Sequence, residues 1–145
     1  MSKHHNVSQS NLELFLKLNE QFRHATAHSE TQFFSQFKDI SILQAHVILG
    51  INYLHPCNMS QIAKSSNLSL GGVTQLIDKL EGKKYLKRVR SKQDRRVIYI
   101  ELTSRGKKVV RANEQHVMQV GEKMMRKFTL QEQKQFLNFF KRMAE

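Results

Sequence analysis

The stretch that most constrains this 145-residue chain is 58–106, NMSQIAKSSNLSLGGVTQLIDKLEGKKYLKRVRSKQDRRVIYIELTSRG, because its apolar period changes sharply within it. Ile62, Ala63, Leu68, Val73, Leu76, Ile77 and Leu80 recur at helical spacing, interrupted at Ser66-Asn67. Beyond them, Val97, Tyr99 and Glu101 alternate with Ile98, Ile100 and Leu102, the period of a strand. The pattern predicts a short helix over 59–65, a sharp turn and a second helix over 70–81 capped by Ser69. Asn67 tolerates the left-handed conformation such a turn needs. Tyr85-Leu86-Lys87-Arg88-Val89 then forms one hairpin arm and 97–102 the other. Helices enter the wide major groove of DNA, and thin arms carrying Arg suit the narrow minor one. These two probes side by side imply a DNA-binding regulator.

Charge supports that partner. The chain carries a formal +12 with pI ≈ 10.1, which calls for a polyanion or an acidic surface. Between Asp78 and Arg111 stand 13 Lys/Arg against 4 Asp/Glu, so most of the excess sits beside the helix pair. A generally basic surface predicts no such clustering. Cys57 is the single cysteine, which excludes an intramolecular disulfide framework and fits a reducing cytoplasm. The opening MSKHHNVSQSN has no apolar segment of a secretory signal, and no run of 18 apolar residues implies a membrane span. No Gly-rich phosphate loop or nucleophile triad is readable, so an enzyme is not expected, nor is a cofactor.

The flanks read as long amphipathic helices. Boxes at Ser10-x-x-Glu13, Ser41-x-x-Gln44, Asn58-x-x-Gln61 and Thr129-x-x-Glu132 announce helix starts. A first helix over 11–37 carries Leu12, Phe15, Leu16, Leu18 and Phe22, with the stripe resumed by Phe33, Phe34 and Phe37. A core helix over 42–54 stops before His55-Pro56. Thr103 caps a helix to about 127 with Val110, Val117, Val120, Met124 and Phe128 on one stripe. A last helix over 130–143 presents Phe136, Phe139, Phe140 and Met143. That is more apolar surface than three helices and a hairpin can cover, and each phenyl gains about 1.5–3 kcal/mol on burial. A two-fold homodimer follows, with a larger monomeric helical core as the other solution. The expected fold is mainly α with a small β-hairpin wing: a winged helix-turn-helix with long N- and C-terminal dimerisation helices. Its parts are a dimerisation helix over 1–37, the DNA-binding domain over 38–102 and dimerisation helices over 103–145.

On the second helix of the pair, Ser69, Gly71, Gly72, Thr74, Gln75 and Lys79 are the candidate DNA contacts. Gln pairs bidentately with adenine, and Ser or Thr meets a base or a phosphate. Two glycines in a helix cost about 1 kcal/mol each against Ala, which suits a backbone lying close to an anion. The other reading is that they lengthen the turn and the helix starts at Val73. In the wing, Arg88, Arg90, Lys92, Arg95 and Arg96 are the candidate cations: Arg88, Lys92 and Arg95 suit phosphates, and Asp94 braces Arg96 by a charge-assisted carboxylate–guanidinium pair.

These residues resemble the multiple-antibiotic-resistance-regulator (MarR) family of bacterial winged-helix transcription factors. The similarity lies in LSLGGVTQLIDKLEGKKYLKR, the DRR of the wing and the LTSRGKK that opens the following helix. Lys84-Tyr85 departs from it, since the family more often has Gly followed by an aliphatic residue. The resemblance implies a homodimer on a palindromic double-stranded operator, usually a repressor, with Arg96 entering the minor groove and Asp94 as its partner. It also implies release by a small aromatic effector, by thiol oxidation or by metal. His28, Phe33, Phe37 and His46 are the candidate effector-pocket residues, or simply core. Cys57 reads as a small buried hydrophobe, and His24 with His28 lacks a completing ligand set, so no metal site is expected. Outside this reading, a non-specific architectural nucleoid protein needs the same basic wing. Only sequence preference at fixed salt separates the two.

Overall fold

Among the described residues, five helix starts are set by the side-chain oxygens of Ser8, Asn58, Ser69, Thr103 and Thr129, which accept otherwise orphaned first amides. The computed structural model describes residues 8–94 and 96–145. Its elements are α1 (Gln9–Phe34), α2 (Ile42–Leu54), β1 (Cys57–Asn58), α3 (Met59–Ser66), α4 (Leu70–Gly82), β2 (Leu86–Arg90), β3 (Ile98–Leu102), α5 (Ser104–Met125) and α6 (Leu130–Ala144). Asn58 and Thr129 make the expected boxes, with Gln61 and Glu132 reaching back to the cap backbone. The Thr129 backbone N–H and hydroxyl together hold the Glu132 carboxyl below its ordinary pKa. At α1 the cap is Ser8, accepting from the Asn11 N–H at 3.3 Å, two residues before the expected Ser10. Ser10 lies inside the helix instead. Its far end also departs from expectation: α1 stops at Phe34, where the Ser35 N–H turns back to the Thr31 carbonyl.

The chain divides into two compact units between Ile42 and Leu43. The first carries α1 and ends on a ring cluster, with Phe33 edge-on to Phe34 at 4.9 Å and to Phe37 at 5.9 Å. Phe34 is buried, whereas Leu12, Leu14, Phe15, Leu16, Leu18 and Phe22 are exposed.

The second unit holds the helix pair, the wing, α5 and α6. Its core joins Ile48 and Ile51 of α2, Ile62 of α3, Val73, Ile77 and Leu80 of α4, Leu86 and Ile100 of the sheet and Val109 of α5. At about 1.5–3 kcal/mol per buried aliphatic side chain, this cluster fixes the helix pair against the sheet. The sheet order is β1-β3-β2, all antiparallel, with Leu86 opposite Leu102 and Arg90 opposite Ile98. The β1 pairing of Cys57 with Ile100 was not expected; two residues carry no period to read. Gln44 of the expected Ser41 box is buried, its Oε1 accepting from Lys83 Nζ at 3.4 Å. Among the described residues no helix is long and apolar enough to cross a membrane.

The joint between α4 and β2 explains the Leu-Thr-x-x-Gly motif. Thr103 caps α5 by accepting the Gly106 N–H, while its own hydroxyl donates to the Lys84 carbonyl at 2.7 Å and its N–H to the Tyr85 carbonyl at 3.0 Å. Arg105 donates to the Lys83 carbonyl at 2.8 Å, and its guanidinium lies 4.4 Å over the Tyr85 ring. The turn these bonds clamp requires Lys84 at φ 62, the left-handed region in which a Cβ is unfavourable. The glycine that the family more often places here would relieve that strain. Lys84→Gly is therefore expected to raise the unfolding free energy by about 1 kcal/mol in urea titration; an unchanged midpoint would show that the turn is not strained.

Candidate nucleic-acid interface

The reading face of α4 starts at its first turn. Ser69 adopts an extended conformation and its Oγ accepts the Gly72 N–H at 3.1 Å, so the helix begins at Leu70, with both glycines inside it. The alternative start at Val73 is thereby excluded. Ser69, Gly71, Thr74, Gln75 and Lys79 are exposed and Gly72 is half-buried, while Val73, Ile77 and Leu80 anchor the opposite face. A Cβ added to Gly71 would meet nothing within 4 Å. Nothing in the free protein therefore requires a glycine at that exposed position. The Thr74 hydroxyl donates to the Leu70 carbonyl at 2.8 Å and keeps its lone pairs for an outside donor. Gln75 presents an amide to solvent.

The wing tip is organised by a serine that sequence reading passed over. Ser91 Oγ accepts from the N–H groups of Gln93 at 3.2 Å and Asp94 at 3.3 Å, and the Ser91 N–H donates to the Val97 carbonyl at 2.9 Å. A Ser at the head of a polar run is the local signal for such a turn. Asp94 does brace the tip, but through the backbone: its Oδ1 accepts the Arg96 N–H at 2.9 Å. The expected carboxylate–guanidinium pair is thus replaced by a backbone bond, and the Arg96 side chain is exposed. Arg90 and Lys92 are exposed too; Arg95 lies outside the described residues.

Arg88 behaves differently from the phosphate contact expected of it. Its guanidinium pairs with Asp78 Oδ1 at 2.6 Å and also with the Glu81 carboxylate, whose other oxygen accepts the Arg88 N–H at 2.9 Å. Burial alone would lower the Arg88 pKa, but the hydrogen bonds to Asp78 and Glu81 hold it above its ordinary value. Two carboxylates on successive turns of α4 thus seize one arginine of β2. Asp78 was expected only as an exposed position of the reading helix and Glu81 not at all, because a carboxylate beside so many cations has no unique partner in sequence.

Of the candidate effector residues, His28, Phe33 and Phe37 lie in the first unit and His46 in the second. His46 lines an apolar cleft of 640 Å³ with Leu43, Val47, Gly50, Tyr53 and Ile62. Cys57 is fully buried, and desolvation pushes its thiol up, away from the thiolate that redox sensing needs. Among the described residues no group of three His, Cys, Asp or Glu is placed to hold a metal, and His24 lies 4.0 Å from Glu20 on α1.

Comparison with known proteins places this geometry. The MarR family profile matches residues 40–98. The HTH-type transcriptional regulator YfiV of Bacillus subtilis is 36% identical over 73 residues, 50% of this chain and 46% of its own length. The chain thus spans less than half of that relative. Streptococcus pneumoniae FabT, solved in complex with DNA, is 30% identical, with a TM-score of 0.71 over 92% of this chain and 96% of that one. A MarR family protein from Bacillus stearothermophilus is only 14% identical but shares the fold, with a TM-score of 0.84 over 96% of each chain. A helix pair and first wing strand matched in profile, with 30% identity to FabT along nearly the whole of both chains, establish that this protein belongs to the MarR family of winged-helix proteins.

Proposed function

We propose that this protein is a DNA-binding transcriptional repressor that grips a palindromic operator as a homodimer and is released by a small aromatic effector. The observation that carries it is the pairing of an exposed polar face on α4 with an exposed cationic tip on the adjoining hairpin, in one compact unit. Major-groove reading falls to Gln75, with Ser69, Thr74, Lys79 and the Gly71–Gly72 backbone at phosphates or base edges. Minor-groove entry falls to Arg96, with Arg90, Lys92 and Arg95 on flanking phosphates and Asp94 holding the tip. The DNA complex of the 30%-identical FabT supports the same partner here. For the effector, the cleft beside His46 has a volume in the range of ligand pockets, about 300–1,000 Å³.

The test is Arg96→Ala, measured by titrating a duplex enriched from a random pool on the parent protein. A groove-inserted arginine predicts about 1–3 kcal/mol weaker binding with the dimer intact. Equal affinities at physiological salt would remove the wing from the interface.

A further inference from the structure

Apolar clefts, the buried thiol and the exposed helix faces leave their occupants undetermined, but one cluster has every partner in place: Arg88 with Asp78 and Glu81. We propose that Arg88 is a positioning residue, whose hold on two α4 carboxylates fixes the angle between reading helix and wing so that both grooves are engaged together. The inference rests on the DNA-binding reading above and adds to it a residue that need not touch DNA.

The geometry favours this role over a phosphate contact. A three-residue turn, Lys83-Lys84-Tyr85, is the only covalent link from α4 to β2. From Leu86 to Ser91 the strand is a lever of about 17 Å at roughly 3.4 Å per residue, so a tilt of about 10° at its base moves the tip by about 3 Å. That displacement exceeds what an arginine in a narrow groove tolerates. Arg88 lies near the base of the lever, two residues past its start, and grips the helix at Asp78 and one turn on at Glu81. Its backbone N–H joins the grip at Glu81, so the strand itself and not only the side chain is held. A guanidinium fork holds two acceptors in a fixed geometry, whereas an ammonium is a rotating point charge that does not fix their angle. The same pairing also sets a cation against two carboxylates of the reading helix.

Loss of charge and loss of position can be told apart. Arg88→Lys keeps the charge and removes the fork. The experiment is a double-mutant cycle of Arg88→Lys with Arg96→Ala on the enriched duplex, with thermal unfolding of each variant alongside. Positioning predicts that Arg88→Lys alone weakens binding about tenfold with its unfolding transition still cooperative. In that background Arg96→Ala should cost less than about twofold, against about tenfold or more in the parent, because the tip has already left the groove. If Arg96→Ala costs the same factor in both backgrounds, the inference is overturned and the DNA-binding reading stands. If Arg96→Ala is silent in the parent, the wing reading fails, and the inference with it. Should Arg88→Lys not fold, Asp78→Asn, at a site whose side chain is 57% exposed, carries the same cycle: coupling to Arg96 supports positioning, and additivity overturns it.

Discussion

Gly106→Ala is expected to destabilise the fold by about 3 kcal/mol or more, the largest effect of a methyl added at any of the glycines. A Cβ at Gly106 would stand 2.3 Å from the Tyr85 carbonyl oxygen and 3.2 Å from Leu102 Cδ2. The near atom is backbone, and it is held there by the N–H of Thr103 at 3.0 Å, so it cannot step aside cheaply. Relief would require α5 to retreat from the α4–β2 turn, uncoupling Thr103 and Arg105 from Lys83, Lys84 and Tyr85. Urea unfolding followed by circular dichroism reads the result as a lower midpoint at similar slope. A midpoint within error of the parent would mean that the joint between α5 and the wing is loosely packed. The same experiment separates folding from function: DNA binding should fall only in proportion to the fraction unfolded.

The second large effect concerns the proposed homodimer. Phe139→Asp is expected to weaken self-association by about 10³-fold or more and to abolish operator binding at micromolar protein. No residue of α6 is buried within the chain, and Leu137, Phe139, Phe140 and Met143 are all exposed. Phe136 stacks between Phe128 at 6.0 Å and Phe140 at 5.8 Å, so those three rings also serve the chain itself. Phe139 stands outside that stack, so its replacement should test the second copy with least harm to the fold. Across a two-fold axis one substitution removes two phenyls, about 1.5–3 kcal/mol each, and an unpaired carboxylate adds desolvation cost. Sedimentation velocity over a concentration series gives the answer: a monomer with parent-like helicity is expected, and an unchanged dimer would move the interface off α6.

How much of this was legible beforehand depends on where the information sat. The helix pair and hairpin were readable because Ile62, Val73, Ile77, Leu80 and Ile100 carry a period over several turns and all are buried. The caps at Asn58, Ser69, Thr103 and Thr129 were readable because a cap is a local chemical event. The start of α1 was misplaced because Ser8 and Ser10 are both competent caps two residues apart, and the choice depends on the first turn as a whole. Within the candidate interface, exposure of Gln75, Lys79, Arg90, Lys92 and Arg96 followed from the pattern. The fate of Arg88 did not. Among several neighbouring cations, only the three-dimensional approach of β2 to α4 decides which one meets Asp78 and Glu81.

In the proposed complex, α4 and the wing read DNA in adjacent grooves, twice, across a two-fold axis. The most direct measurement is selection: the purified full chain is incubated with a random duplex pool at fixed salt, and the bound fraction is sequenced. A dimeric reader should enrich one palindrome with half-sites about 10–10.5 base pairs apart, bound about 10³-fold or more tighter than the starting pool. Recovery of the pool without a shared sequence, or no duplex retained even at low salt, would contradict it.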